Sequence, residues 1–191
     1  MGDNIVGKCV GKPCIVVTAT AAGEDRRRLS GDLRLLKPEV VVGDPNRPNI
    51  LYEIRKRPPS TEVEDHVKEV FTPIAEQLKD QKLSFPQTIL YTDTNIIGLV
   101  YDIFDEVLGA EQYIKAPFIP ENRIFAQHHR TYTPNMKVGI VAELTKEDSI
   151  LRFVIATPDS MGLGLNAAHI RLVIHYKPSN SLPQYFQETG R

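Results

Sequence analysis

Two hydrophobic periods take turns along the chain. Cys14-Ile15-Val16-Val17 is a continuous apolar, β-branched run, as in a strand buried on both faces of a parallel sheet. Residues 22–36 carry leucines at 29, 33 and 36 among charged side chains, the spacing of an amphipathic helix despite Gly31. Val40-Val41-Val42 predicts a second short strand. Gly43-Asp44-Pro45-Asn46-Arg47-Pro48-Asn49 then reads as a turn-rich connector, because each proline fixes its own φ and restricts the residue before it. That connector divides the chain into two expected regions, 1–45 and 46–191.

In the second region, Ile50-Leu51-Tyr52-Glu53-Ile54 alternates as a strand, and residues 63–78 place apolar side chains at 63, 67, 70, 71, 74 and 78, a helical stripe. Thr88-Ile89-Leu90-Tyr91 predicts a buried strand. A helix follows, with Thr94 as its N-cap and Gly109 as its stop. Strand and helix alternate again through residues 124–126 and 135–144, then strands 153–156 and 172–174, with a last helix from about Ser181. Residues 113–122 predict a long irregular loop. The alternation implies an α/β fold of three layers around a mainly parallel sheet.

Composition narrows the setting without naming a function. At 191 residues and 21.5 kDa, the chain can hold one generous domain or one domain with a piece of another. No apolar stretch reaches the roughly 20 residues that span a bilayer, and Met1-Gly2-Asp3-Asn4 does not open a signal peptide, which leaves a nuclear or cytoplasmic, non-secreted address as the expectation. Cys9 and Cys14 are too few for a disulfide framework or a four-ligand zinc site, so no structural metal is expected. The formal net charge of -1 supplies no general basic field, so any nucleic-acid contact must come from local groups and backbone amides.

Candidate chemistry lies at predicted strand ends. Thr18 and Thr20 follow the first strand, Thr92 follows the Thr88–Tyr91 run, and Thr157 follows Phe153–Ala156. Open α/β sheets bind ligands at those ends, although Thr-Ala-Thr-Ala taken alone reads simply as a strand exit. Gly162 and Gly164 would let backbone approach a phosphate closely, while two glycines by themselves more often mark a loop. Thr92 and Thr94 would meet a phosphate through hydroxyls and the amides of a helix start, and helix capping explains Thr94 equally well. Gln187 and Arg191 stand four residues apart, so in a helix they share a face.

In order along the chain, Val17-Thr18-Ala19-Thr20-Ala21, Asn46-Arg47-Pro48-Asn49 with Tyr52, Tyr91-Thr92-Asp93-Thr94, Ala156-Thr157, Met161-Gly162-Leu163-Gly164-Leu165, Val173-Ile174-His175-Tyr176 and Tyr185-Phe186-Gln187-Glu188-Thr189-Gly190-Arg191 resemble the RecQ family of superfamily 2 helicases. The resemblance implies a truncated RecA-like (P-loop NTPase-type) helicase C-terminal domain over 46–191, ending inside the sixth helicase motif, and a remnant of the first RecA-like domain over 1–45. It implies interdomain coupling by Thr18, Thr20 and Arg47, and nucleic-acid contacts by Thr92, Thr94, His129, Thr157 and Gly162. Gly164 and Asn166 become expected ATP contacts, with Gln187 and Arg191 catalytic on the interdomain face. ATP and Mg2+ are the implied cofactors of the intact helicase. DNA, single-stranded or forked, and the first RecA-like domain are the implied partners, with DNA repair and recombination as the family's setting.

Several features depart from the family. Arg130-Thr131 follow His129 where the family has small residues, and four residues separate Thr157 from Gly162, one more than its pattern. Asp159 adds a charge that repels phosphate. No G-x-x-x-x-G-K-[ST] loop or Asp-Glu-Ala-His-type run lies within these 191 residues, and Gly7-Lys8 and Gly11-Lys12 lack the loop spacing. Weak binding of ATP and Mg2+ by this chain alone follows. The main expectation is therefore part of an ATP-dependent 3'-5' DNA helicase, inactive alone. The alternatives are a nucleic-acid-binding or regulatory module that kept the fold and lost catalysis, and an unrelated α/β enzyme using strand ends for another phosphate ligand.

Overall fold

Strands rich in apolar residues need cover on both faces, and four short runs form one sheet. They are β1 (Thr88–Tyr91), β2 (Phe125–His128), β3 (Phe153–Ala156) and β4 (Leu172–His175), ordered β2-β3-β1-β4 and parallel throughout, with β1 and β3 buried at every position. The computed structural model describes residues 12–18, 21, 23–44, 46–56, 62–161 and 168–190. The chain divides into two units, Met1–Arg55 and Lys56–Arg191.

In the second unit, parallel neighbours need long crossovers, and helices supply them. α2 (Val63–Gln81) and α3 (Thr94–Leu108) bury Val67, Phe71, Ala75 and Leu78 with Ile97, Val100, Phe104 and Leu108 against Leu90, Phe125, Phe153 and Ile155. The opposite sheet face presents Ile89, Tyr91, Val154 and Ala156, which pack with Ile140 and Leu144 of α4 (Pro134–Leu144). Odd and even strand positions thus enter two separate cores, and the expected three-layer α/β arrangement with a parallel sheet is present. α5 (Leu182–Thr189) follows β4, and its start is capped where Ser181 Oγ accepts from the Gln184 amide at 3.3 Å.

Phe104 joins α3 to the sheet, with its ring 4.7 Å from that of Phe153 and 5.5 Å from that of Phe125. The segment expected as an irregular loop is also clasped. Arg123 donates to the Tyr113 hydroxyl from Nη2 at 2.9 Å and to the Tyr101 hydroxyl from Nη1, with its guanidinium 5.2 Å from the Tyr113 ring centre. Tyr113 and Arg123 also pair as an antiparallel bridge, so this loop is closed at its base.

Two sequence expectations meet the structure on this side of the fold, and one of them changes. The N-cap of α3 is Asp93, whose carbonyl accepts from the amides of Ile96 at 3.0 Å and Ile97 at 3.1 Å; Thr94 is the first helical residue. Gly109 does stop the helix, at a φ of 52° that favours glycine.

The first unit holds α1 (Gly23–Asp32), shorter than the periodicity of residues 22–36 suggests. Leu35 N–H bonds to the Ser30 carbonyl at 2.9 Å and Arg34 N–H to Gly31 at 3.0 Å, a Schellman ending with Arg34 at a φ of 50°. The strands expected at 14–17, 40–42 and 50–54 do not form among the described residues; Ile15, Val41 and Ile54 are 88%, 89% and 97% exposed. A β-branched run becomes a strand only when a neighbour supplies the other half of its ladder. No helix among the described residues is long and apolar enough to cross a membrane.

Phe104→Ala should remove the central contact between α3 and the sheet and cost about 3–5 kcal/mol, the usual range for a fully buried phenylalanine. Urea unfolding followed by circular dichroism measures it. A loss below about 1 kcal/mol would show that the α3 face tolerates the gap and that Phe104 is not central to this core.

Candidate nucleic-acid interface at the sheet edge

The register fixes what stands at the C-terminal edge of the sheet. Tyr91 pairs with Ala156 and with His175, and Ala156 pairs with His128, so the four strands end level. The ladder then runs one step further: Thr92 N–H donates to the Ala156 carbonyl at 3.0 Å, Thr157 N–H to His128 at 3.2 Å, and Tyr176 N–H to Tyr91 at 3.1 Å. Across the edge the order becomes His129, Thr157, Thr92, Tyr176, with neighbours about 4.8 Å apart. Thr92 and Thr157 are therefore side by side, on the face that alternation assigns to α2 and α3.

Thr92 is 3% exposed, and its hydroxyl has no hydrogen-bond partner among the described residues. A buried hydroxyl left unpaired costs on the order of 1–3 kcal/mol, so an acceptor or donor brought to this edge would recover part of that cost. Thr94 is exposed on the first turn of α3, while Asp93 beside it is engaged by Lys177 Nζ from the chain beyond β4. An exposed pair of this kind adds little stability, but it places one acidic and one basic group at the edge. His129 is held by its own neighbours, with Nδ1 2.8 Å from Thr131 Oγ1 and the ring 5.3 Å from that of Tyr132. The Arg130-Thr131 pair that departs from the family thus includes the residue that holds the His129 ring.

Between β2 and the segment after β3 lies a polar knot that sequence reading missed. Ser160 Oγ is 2.6 Å from the His128 carbonyl and 2.8 Å from the Thr157 carbonyl, and 3.0 Å from His128 Nδ1. The single hydroxyl hydrogen goes to the carbonyls, so Nδ1 carries a hydrogen and donates to the Ser160 oxygen. His128 is 2% exposed, and burial, aided by the charge of Lys137, holds its imidazole below its ordinary pKa of 6.5. Two adjacent histidines at a strand end were the available signal. Their distinct surroundings were not readable, since Ser160 lies 32 residues from His128.

A second unforeseen contact fixes α5. Glu188 is buried, and its Oε2 accepts from Ser179 Oγ at 2.5 Å and lies 2.8 Å from His175 Nε2. The His175 ring stacks on Tyr91 with centroids 5.4 Å apart. Gln187, one residue before Glu188, is half-buried on the same helix. Arg191 lies outside the described residues, as do Thr20, Gly162, Gly164 and Asn166. Thr18 is exposed and Arg47 half-buried, both in the first unit, where the Arg47 carbonyl accepts from the Ile50 amide at 3.0 Å.

Among the described residues no three His, Cys, Asp or Glu side chains gather to hold a metal ion. The edge instead offers hydroxyls and backbone amides, groups that suit a phosphodiester.

No family model matches the chain. ATP-dependent DNA helicase Q-like 2 of Arabidopsis thaliana is 24% identical to it over 181 residues, covering 94% of this chain and 22% of that protein. ATP-dependent DNA helicase Q1 of Mus musculus is 26% identical over 175 residues, 92% of this chain and 24% of that protein. ATP-dependent helicase SGS1 of Saccharomyces cerevisiae is 25% identical over 187 residues, 94% and 11% respectively. The chain thus spans a quarter or less of the length of these curated relatives.

The depressed pKa of His128 gives stability a defined pH dependence. Because the folded state holds the neutral ring below the ordinary value of 6.5, this contribution is complete above that value and is lost as pH falls through it. The melting temperature should drop between about pH 7.5 and pH 5.5, and His128→Asn, which keeps an N–H donor without a titrating ring, should drop less. Equal drops in the two proteins would show that His128 does not carry the effect. Over more than nine-tenths of its length this chain is similar to helicases of the RecQ type.

Proposed function

We propose that this chain is the second RecA-like part of an ATP-dependent 3'-5' DNA helicase of RecQ type, residues 46–191, preceded over 1–45 by the end of the first RecA-like domain. The observation that carries this reading is the placement of Thr92 and Thr157 on adjacent, level strand ends, in a chain whose relatives are named as DNA helicases over more than nine-tenths of its length. In this reading one DNA strand lies along the edge with its phosphates toward Thr157, Thr92 and the first turn of α3 at Thr94, with Gly162 completing the contact. His129 is the weakest of these contacts, because Thr131 and Tyr132 already hold its ring.

ATP and Mg2+ would bind chiefly on the first RecA-like domain, with Gly164 and Asn166 reaching the nucleotide from this one. Thr18, Thr20 and Arg47 would couple the two domains. Gln187 and Arg191 would face the triphosphate, the arginine offsetting charge that develops during hydrolysis. The setting in the cell would be DNA repair or recombination. A catalytically silent nucleic-acid-binding module is the second reading, and the extra residue before Gly162 together with the exposed Asp159 favours it.

Fusion to the first RecA-like domain of a RecQ-type helicase separates the two. The chain alone should hydrolyse no ATP above a protein-free control. The fusion, continued beyond Arg191 by the family's Gly and Arg, should hydrolyse ATP when single-stranded DNA is added. Arg191→Ala should then lower that rate by about 10³-fold while DNA affinity stays within about twofold. A fusion that binds DNA without turnover would favour the silent module, and turnover that ignores Arg191→Ala would remove this residue from catalysis.

A further inference from the structure

The segment after β3 departs from the family in length and composition, yet the ladder bond from Thr157 to His128 survives at 3.2 Å. The local reason is Ser160. Its amide donates back to the Thr157 carbonyl at 3.0 Å, closing a turn over Thr157-Pro158-Asp159-Ser160. Its hydroxyl meets that same carbonyl at 2.8 Å and the His128 carbonyl at 2.6 Å, and accepts from the His128 ring at 3.0 Å. The next residue, Met161, is 3% exposed and belongs to the buried cluster on the α4 side of the sheet, so the turn is anchored beyond Ser160 as well. By contrast, the half-buried Thr157 makes no side-chain hydrogen bond among the described residues.

We propose that Ser160, held by His128, is the positioning residue that aims Thr157 at a nucleic-acid phosphate. This rests on the reading of the sheet edge given above. Ser160 touches no phosphate itself. Its hydroxyl joins the carbonyls of β2 and of the turn, and so fixes the level and direction of the Thr157 backbone relative to Thr92. Pro158 has a set φ and Asp159 is exposed, so without Ser160 the turn would retain its stiffness and lose its registration to β2. The donor requirement on the other side is specific. An Nδ1–H can be copied by the amide of asparagine, which reaches the same distance from the backbone, and not by the longer glutamine.

The test is fluorescence anisotropy of the full chain with a labelled oligothymidylate at low salt, where phosphate contacts are strongest. Ser160→Ala should weaken binding about five- to tenfold, as loss of one buried hydrogen bond allows, and Thr157→Val by a similar factor. The double variant should be no weaker than Thr157→Val alone, because Ser160 acts through Thr157. Ser160→Thr should recover most of the loss. His128→Asn should bind within about twofold of the parent and His128→Gln should resemble Ser160→Ala, a split that a general loss of stability would not give. Far-ultraviolet circular dichroism confirms that each variant folds, and the His128 pair tests the knot even if Ser160→Ala does not. If Thr157→Val weakens binding while Ser160→Ala and His128→Gln do not, the positioning role is wrong and the edge assignment stands. If Thr157→Val has no effect, the edge is not the phosphate contact and both ideas fall.

Discussion

Everything proposed for the sheet edge depends on the register of β1 against β3. Tyr91 stands opposite Ala156, so Thr92 and Thr157 leave the sheet at the same level, one strand spacing apart. A slip of one residue would move one threonine back along its strand and turn it to the other face. What prevents that slip is burial on both sides. Leu90, Phe153 and Ile155 are committed to the α2–α3 core, and Ile89, Tyr91, Val154 and Ala156 to the core under α4. Exchanging faces would put Phe153 where Val154 packs, and closely packed interiors do not absorb such a change of volume.

From that register the rest of the edge follows by short polar links. Ser160 ties the turn after β3 to β2, Asp93 and Lys177 link the start of α3 to the chain after β4, and Glu188 ties α5 to His175. The ring of His175 rests on Tyr91, so the helix that carries Gln187 is tied to the same strand as Thr92. The buried links differ in kind from the exposed Asp93–Lys177 pair. Removing one member of the former leaves an unsatisfied polar group inside the protein, whereas the latter is screened by solvent.

The sequence revealed the second unit better than the first, for a physical reason. The α2 stripe at 67, 71 and 78 and the runs at 88–91 and 153–156 are amphipathic or fully apolar over their whole length, and burial converts that pattern directly into structure. Ile15, Val41 and Ile54 sit in runs just as apolar, yet no paired strand forms among the described residues there; composition cannot supply a ladder partner. Thr92 and Thr157 were identifiable because a threonine after an apolar run marks a strand end. Whether Asp93 or Thr94 caps α3 was not readable, since either residue type caps well and the local backbone decides. Ser160 was invisible for the opposite reason: its partner is 32 residues away, and only the β2–β3 pairing brings them together.

The central claim is tested most directly by an NMR titration of the isotope-labelled chain with single-stranded oligothymidylate, following backbone amides across the sheet. The largest shifts should fall on Thr92, Thr94, Thr157 and Ser160, with small changes at the opposite strand ends around Gln87, Ile124 and Arg152. Raising salt from about 50 to 200 mM should remove those shifts together, since phosphate contacts dominate. Shifts concentrated at Gln87, Ile124 and Arg152, or spread evenly over the surface, would contradict the placement of a nucleic-acid strand along the C-terminal edge.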